Sequence, residues 1–107
     1  MRKTLFGAIT AAVLVGVSPS AWAFGCPVSF QAADEAIAEA TTAMKAMSDK
    51  DQMGLVHTLI DDAKMLLTSG KHNHEKAAAG ALDHARAIAK ARAATGYAEA
   101  AEIMAKN

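Results

Sequence analysis

The residues from Ser48 to Thr95 carry an apolar periodicity that constrains the fold more than any other feature of this sequence. In the first half of this stretch, apolar side chains recur at spacings of three and four, at Met53, Val56, Ile60, Ala63 and Leu67, with Leu59 and Leu66 beside them. In the second half, a comparable face consists of Ala77, Ala78, Ala81, Leu82, Ala85, Ile88 and Ala89. Such spacing is typical of amphipathic helices that pack on one side. We therefore predict a hairpin of two antiparallel helices.

The limits of this hairpin are predicted from capping residues. Ser48 and Asp51 have the spacing of a capping box, with Asp in place of Glu, so they mark the beginning of the first helix. Gly70 can adopt the left-handed conformation that ends a helix, and Asn73 can cap the next one. The predicted turn therefore runs from Gly70 to Asn73.

Alanine-rich segments flank the hairpin. Residues 31–47 keep helical spacing and are predicted to form the first helix, whereas residues 24–30 contain Gly, Cys and Pro and are predicted to be an irregular lead-in, with Phe30 folding back onto the bundle. Thr95-Gly96 is predicted to end the third helix, and residues 97–106 to form a short fourth one. Its inward candidates are Ala100, Ile103 and Met104. The predicted fold is all-α: a small antiparallel helical bundle, three long helices plus a short fourth, in one domain over residues 31–107.

The first 23 residues have the pattern of a Sec signal peptide. Arg2 and Lys3 give a positive start, residues 5–17 are apolar, and Ala21-Trp22-Ala23 is an A-x-A cleavage site. We therefore expect a periplasmic mature chain of 84 residues (107 minus 23) that begins at Phe24. No other segment approaches the roughly 20 apolar residues of a transmembrane helix, so no stable membrane span is expected after signal removal.

The charge of the predicted mature chain argues against nucleic acid as a partner. Removal of Arg2 and Lys3 leaves 9 basic residues (11 minus 2) against 11 acidic ones, a net charge of −2 with neutral histidines. A phosphate backbone is neutralised by clustered Lys and Arg, and single strands stack on series of aromatic side chains. The sequence has neither feature.

Cys26 is the only cysteine, so the chain cannot form an internal disulfide. Ala23-Phe24-Gly25-Cys26 faintly resembles a lipoprotein cleavage box, which makes a lipid anchor one alternative. The others are a free thiol, an intermolecular disulfide in a homodimer, a metal ligand, and an exposed tail cysteine without a role. The sequence leaves these alternatives open.

The sequence lacks the motifs of the common enzyme classes. It has no G-x-S-x-G elbow, no phosphate-binding glycine loop, no H-E-x-x-H and no C-x-x-C-H. The neighbouring carboxylates of Asp61 and Asp62 point about 100° apart on a helix, so they do not form an acid and base pair. We therefore do not expect an enzyme.

The four histidines suggest metal binding at two places in the hairpin. His57 and His84 lie at similar heights above the predicted turn, and each flanks its apolar stripe, so they are predicted to meet across the seam with Asp61. Imidazole suits copper, nickel and zinc, and a carboxylate completes such sites. Met53 and Met65 are spaced to add soft ligands at the rim, although core packing is the more common role of methionine.

The second predicted metal site lies at the turn. His72 and His74 are two residues apart and are followed by Glu75, so all three are candidate ligands. The alternative interpretation of this segment is a polar turn with a capped helix. For all of these histidines, a solvated position on the helix surface is the alternative to metal ligation.

Over most of the mature chain, the sequence resembles the small metal-binding protein family of exported helical bundles that bind copper and other divalent metals. The similar stretches are Asp34-Glu-Ala-Ile, Leu59-Ile-Asp-Asp-Ala-Lys, and the segment from His74 through Leu82-Asp-His-Ala-Arg to Gly96. By this resemblance, His74 lies in a histidine-bearing turn and His84 precedes an apolar run. Histidines of the family pattern are replaced here by Glu39, Asp62 and Ala91. The resemblance thus implies a related bundle with fewer or weaker metal sites.

These observations favour a periplasmic metal-binding protein that buffers or sequesters ions, with copper favoured and zinc or nickel as alternatives. The second hypothesis is a non-catalytic structural or partner-binding helical module that forms a homodimer.

Overall fold

The computed structural model describes residues 21–75 and 80–107, with side chains from Cys26 onward. It contains three helices: α1 (Ala21–Lys45), α2 (Lys50–Glu75) and α3 (Ala81–Lys106). These residues include no strand, so the all-α fold class is confirmed. None of the described helices combines the length and hydropathy needed to cross a membrane. The predicted signal peptide falls mostly on residues 1–20, which lie outside the described residues, and it stays a prediction.

The lead-in predicted for residues 24–30 is wrong, because α1 begins at Ala21 and passes through Pro27. A proline inside a helix removes one backbone hydrogen bond and crowds the preceding turn. Packing compensates for this loss, since Cys26 and Phe30 are buried one turn apart and continue the stripe formed by Ala33 and Ile37. The prediction that Phe30 packs against the bundle is confirmed.

The capping residue predicted for the beginning of α2 is also wrong. Asp49, not Ser48, caps the helix, because its Oδ1 accepts hydrogen bonds from the backbone N–H groups of Asp51 at 3.0 Å and Gln52 at 3.2 Å. A carboxylate at this position satisfies two N–H groups that have no partner inside the helix. The helix accordingly begins at Lys50.

The turn predicted between Gly70 and Asn73 does not exist, because α2 continues to Glu75. Gly70 is buried, and none of the described glycines has a positive φ. A Cβ at Gly70 would lie 3.0 Å from the carbonyl oxygen of Ala87, so the glycine permits a close approach of α2 and α3. Asn73 is buried and caps nothing; its Oδ1 accepts a hydrogen bond from Lys90 Nζ at 2.6 Å.

The short fourth helix is corrected as well, because α3 continues without a break through Gly96 to Lys106. Five buried alanines explain this continuity, since their spacings of four and three residues carry one stripe past Gly96: Ala87, Ala91, Ala94, Ala98 and Ala101. This stripe is not the predicted one. Leu82 and Ile103, both predicted to face inward, are exposed.

The core confirms the predicted stripes of the other two helices. Ala33, Ile37 and Ala40 are buried in α1, and Met44 and Met47 pack against them from partly buried positions. The α2 stripe is equally clear: Val56, Ile60, Ala63 and Leu67 are buried. Small side chains in α3 let the backbones approach closely, but each contact removes little apolar area from water.

Polar contacts join the helices near one end of the core. Lys71 of α2 forms an ion pair with Asp34 of α1, with 3.5 Å between Nζ and Oδ2. Lys90 of α3 donates hydrogen bonds to Ser69 Oγ at 2.8 Å and to Asn73. These contacts hold the last turns of α2 against both neighbours and so position the site described next.

Candidate metal centre

Three side chains, one from each helix, converge at this end of the core. Cys26 comes from the N-terminal part of α1, His74 from the last turn of α2 and His84 from the first turn of α3. One donor atom from each residue lies within 4.8 Å of the other two. We call Cys26, His74 and His84 the three-donor cluster.

The distances within the three-donor cluster match the size of a metal ion. Zinc bonds of about 2.3 Å to sulfur and 2.0–2.1 Å to nitrogen, at tetrahedral angles, separate sulfur from nitrogen by about 3.6 Å and two nitrogens by about 3.3 Å. Here Cys26 Sγ lies 3.7 Å from His84 Nδ1, and the Nδ1 atoms of His74 and His84 lie 3.4 Å apart. Two of the three donor separations therefore suit a single ion, and the third, between Cys26 Sγ and a His74 nitrogen, is no more than 4.8 Å.

The thiol of Cys26 is buried beside polar atoms of His84. The residue is fully buried, and its Sγ also lies 3.6 Å from the carbonyl oxygen of His84, to which the thiol can donate a weak hydrogen bond. Burial raises the pKa of Cys26 above its usual 9.0. An incoming metal ion must therefore displace the thiol proton, which a directly bound cation does readily.

The two imidazoles are held edge to face. The ring centroid of His74 lies 5.3 Å from that of His84 and 5.6 Å from that of Phe30, with interplanar angles of 62° and 76°. Facing Nδ1 atoms form a hydrogen bond only when one carries the proton and the other presents its lone pair. A metal ion would take the place of that shared proton and bind both lone pairs.

The predicted seam site is not formed. His57 lies 17 residues before His74 on the same helix, or about 25 Å along its axis, whereas His84 contacts His74. Instead, His57 Nδ1 lies 3.2 Å from Asp61 Oδ2, and both side chains are more than half exposed. The pairing of His57 with His84 is therefore wrong, because the helices connect beyond Glu75 and not at Gly70.

The predicted turn site is only partly retained. Because α2 continues to Glu75, His72 and His74 are roughly 200° apart around the helix axis. His74 turns into the cluster, while His72 and Glu75 are exposed. Met53 and Met65 do not join the cluster either, since they lie about six and two turns before His74 on α2.

Cys26 is the cluster residue that the sequence interpretation placed wrongly. Metal ligation is one of several roles that the sequence leaves open for this residue, but its glycine and proline neighbours predict an irregular lead-in. The available signal was its register: Cys26, Phe30, Ala33 and Ile37 are spaced by four, three and four residues. This spacing extends the α1 stripe towards the N-terminus and turns the thiol to the core.

Comparison with protein-family models, with characterised proteins and with solved structures yields no match for this chain. The resemblance to the small metal-binding protein family therefore stays a prediction. The candidate metal centre rests on the geometry of its own residues.

Proposed function

We propose that this protein is a periplasmic metal-binding protein that buffers or sequesters ions, with copper favoured and zinc or nickel as alternatives. One observation carries the proposal: three donor atoms from three helices lie at separations suited to a single ion. The proposed role is binding and not catalysis, in keeping with the prediction from the sequence motifs.

The chemistry of the donors supports the choice of metals. Thiolate is a soft ligand that favours Cu(I) and zinc, and imidazole suits copper, zinc and nickel alike. A neutral imidazole and a thiolate are both lost when they are protonated, so bound ions are released as the pH falls. Reversible binding of this kind is what a buffer requires.

The proposal includes the antiparallel arrangement of the bundle. It is supported by contacts between the late part of α2 and the early part of each neighbour: Asp34 with Lys71 from α1, and His84 with His74 from α3. In this arrangement α1 and α3 run in the same direction, and Cys26 lies beside His84.

The proposal also includes export by the predicted signal peptide. The burial of Cys26 bears on the other roles that were open for its thiol, a lipid anchor and an intermolecular disulfide. A lipid on Sγ, or a disulfide to a second copy, would require the thiol to leave the core, since Cys26 is fully buried. The proposal therefore assigns the thiol to the metal and not to an anchor or a dimer.

A partner-binding module is the second candidate, and one surface favours it. Met65 and Tyr97 are exposed and line a shallow groove between α2 and α3, with Asp62, Leu66 and Ser69. Exposed apolar side chains of this kind are found at interaction sites. In this case the chain would form a homodimer or bind another protein without any effect of metal.

The test is a competition titration of the mature chain with Cu(I) and Zn(II) against a chromophoric chelator, under reducing conditions. The variants Cys26→Ala and His84→Ala should each lower the affinity by more than about tenfold, because even residues that only orient a ligand are worth 10- to 100-fold. His57→Ala and His72→Ala are matched controls and should bind like the unchanged protein.

Two outcomes would contradict the proposal. If His57→Ala or His72→Ala weakened binding and Cys26→Ala did not, the ion would be held elsewhere. If the unchanged protein bound no tighter than free histidine, and its mass by light scattering rose with concentration regardless of metal, the partner-binding module would be the better interpretation.

A further inference from the structure

The three-donor cluster offers an ion one Cys and two His ligands, and no other His, Cys, Asp or Glu side chain joins it. Every His, Cys, Asp and Glu of the sequence lies between Cys26 and Glu102, and none falls in residues 76–79, which are Lys-Ala-Ala-Ala. All of these side chains are therefore among the described residues. Among them, only Cys26, His74 and His84 form a group of three donors whose ligand atoms all lie within 4.8 Å of one another.

Three protein ligands leave a zinc-like ion incomplete. Structural zinc sites are closed by four protein ligands, whereas sites with three keep a position for water or another molecule. We infer that zinc, or another ion that prefers four ligands, has one coordination position for a donor from outside this chain when the three-donor cluster holds it, and that a thiol or an imidazole compound fills this position in a ternary complex. This inference rests on the proposed function and adds to it the ligand that the site exchanges.

The burial of the three donors indicates the side from which the outside ligand arrives. Cys26 is fully buried, so access from its side is blocked by the core. His74 and His84 are each partly exposed, and they lie at the end of α2 and the beginning of α3. Among the described residues, the side of the cluster nearer to solvent is that of the two imidazoles, and the inference places the free position of the ion there.

The ligand exchange is a simple substitution. An incoming thiol loses its proton to the solvent and its thiolate forms a bond to the ion, while a neutral imidazole binds through its lone pair; no electrons are transferred to or from the metal. Once the ion has this fourth ligand, a second outside donor can replace a protein ligand. The partner class is therefore a small thiol or imidazole ligand, or a carrier that presents such a group.

The test uses Co(II) as a spectroscopic probe in the full mature chain. The Co(II) protein should show a thiolate-to-cobalt band that is absent from Cys26→Ser. Addition of imidazole should shift the ligand-field bands in a saturable manner, and addition of 2-mercaptoethanol should about double the thiolate band as a second sulfur binds. His57→Ala, which changes a residue far from the cluster, should respond as the unchanged protein does.

The outcomes separate this inference from the proposed function. If the unchanged protein binds Co(II) through Cys26 but its spectrum is indifferent to both imidazole and 2-mercaptoethanol, the position is closed and the inference is wrong, while metal binding stands. If Co(II), Zn(II) and Cu(I) all fail to bind, the proposed function is wrong, and the inference that rests on it is wrong as well. If the ternary complex forms equally in Cys26→Ser, the outside ligand is binding at another site and the inference is overturned.

Discussion

At the scale of single residues, protein stability and metal affinity favour different protonation states of the Cys26 sulfur. Burial favours the neutral thiol, and the pKa of Cys26 is accordingly raised above its usual 9.0. Metal ligation requires the thiolate. The metal-free protein therefore holds the proton firmly, and each binding event releases it.

The first prediction concerns the alkaline stability of the metal-free protein. The unfolded chain releases the Cys26 proton near the usual thiol pKa, and the folded chain does so only at higher pH. The thiol's contribution to stability is therefore fully present below about pH 9 and is lost as the pH rises through the raised value. As the pH rises above about 9, the free energy of unfolding should fall more steeply than that of Cys26→Ala.

Urea unfolding at a series of pH values, with a chelator and a reductant present, measures this difference. Cys26→Ala serves as the reference, because it differs from the unchanged protein only in the side chain at position 26. Parallel pH profiles for the two proteins would show that the thiol is not protonated preferentially in the folded state.

At the scale of helices, Gly70 decides how closely α2 and α3 pack. Alanine normally stabilises a helix interior by about 0.5–1 kcal/mol relative to glycine. At Gly70, however, a Cβ would lie 3.0 Å from the carbonyl oxygen of Ala87 and 3.3 Å from Lys90 Cβ. The first of these neighbours is backbone and can move only if the helix moves.

We therefore predict that replacing glycine by alanine changes the free energy of unfolding in opposite directions at different positions. Gly70→Ala should lower the free energy of unfolding by about 1–3 kcal/mol, the usual cost of overpacking. Gly54→Ala and Gly96→Ala should raise it by about 0.5–1 kcal/mol, because a Cβ there meets nothing within 4 Å. Denaturant unfolding of the three variants distinguishes them; stabilisation by Gly70→Ala would show that α2 and α3 lie further apart.

The same glycine explains what the sequence could and could not predict. Spacing of apolar residues predicted the helical class and the α2 stripe from Val56 to Leu67, because burial leaves a periodic pattern. It failed at Gly70 and Gly96, because a glycine that ends a helix looks the same in a sequence as one that permits close packing, such as Gly70, or one that is exposed inside a helix, such as Gly96. A turn at Gly70 places the connection between the helices too early in the sequence. It therefore pairs His84 with His57 and not with His74.

At the scale of the whole molecule, the three-donor cluster ties together the three helices at one end of an alanine-rich core. Each alanine contact removes little apolar area from water, so packing alone gives this bundle modest stability. Cys26, His74 and His84 belong to α1, α2 and α3, and unfolding separates all three donors. Binding of an ion to the folded state alone should therefore stabilise the entire bundle.

The last prediction follows from this linkage between binding and folding. Zinc at a free concentration of about 100 times its dissociation constant should add about 2.7 kcal/mol to the free energy of unfolding, provided that the unfolded chain does not bind it. For a domain of this size each kcal/mol raises the melting temperature by about 4–8 °C, so the expected rise is roughly 10–20 °C.

Differential scanning calorimetry at pH 7.5 and 5.5 measures this rise. It should shrink at the lower pH, where protons compete for the imidazoles. His84→Ala should lose the rise in melting temperature and His57→Ala should keep it, because His84 belongs to the three-donor cluster and His57 does not. An equal rise in both variants would mean that zinc stabilises the bundle through some other surface; no rise in the unchanged protein would mean that the cluster is a hydrogen-bonded end of the core and not a metal centre.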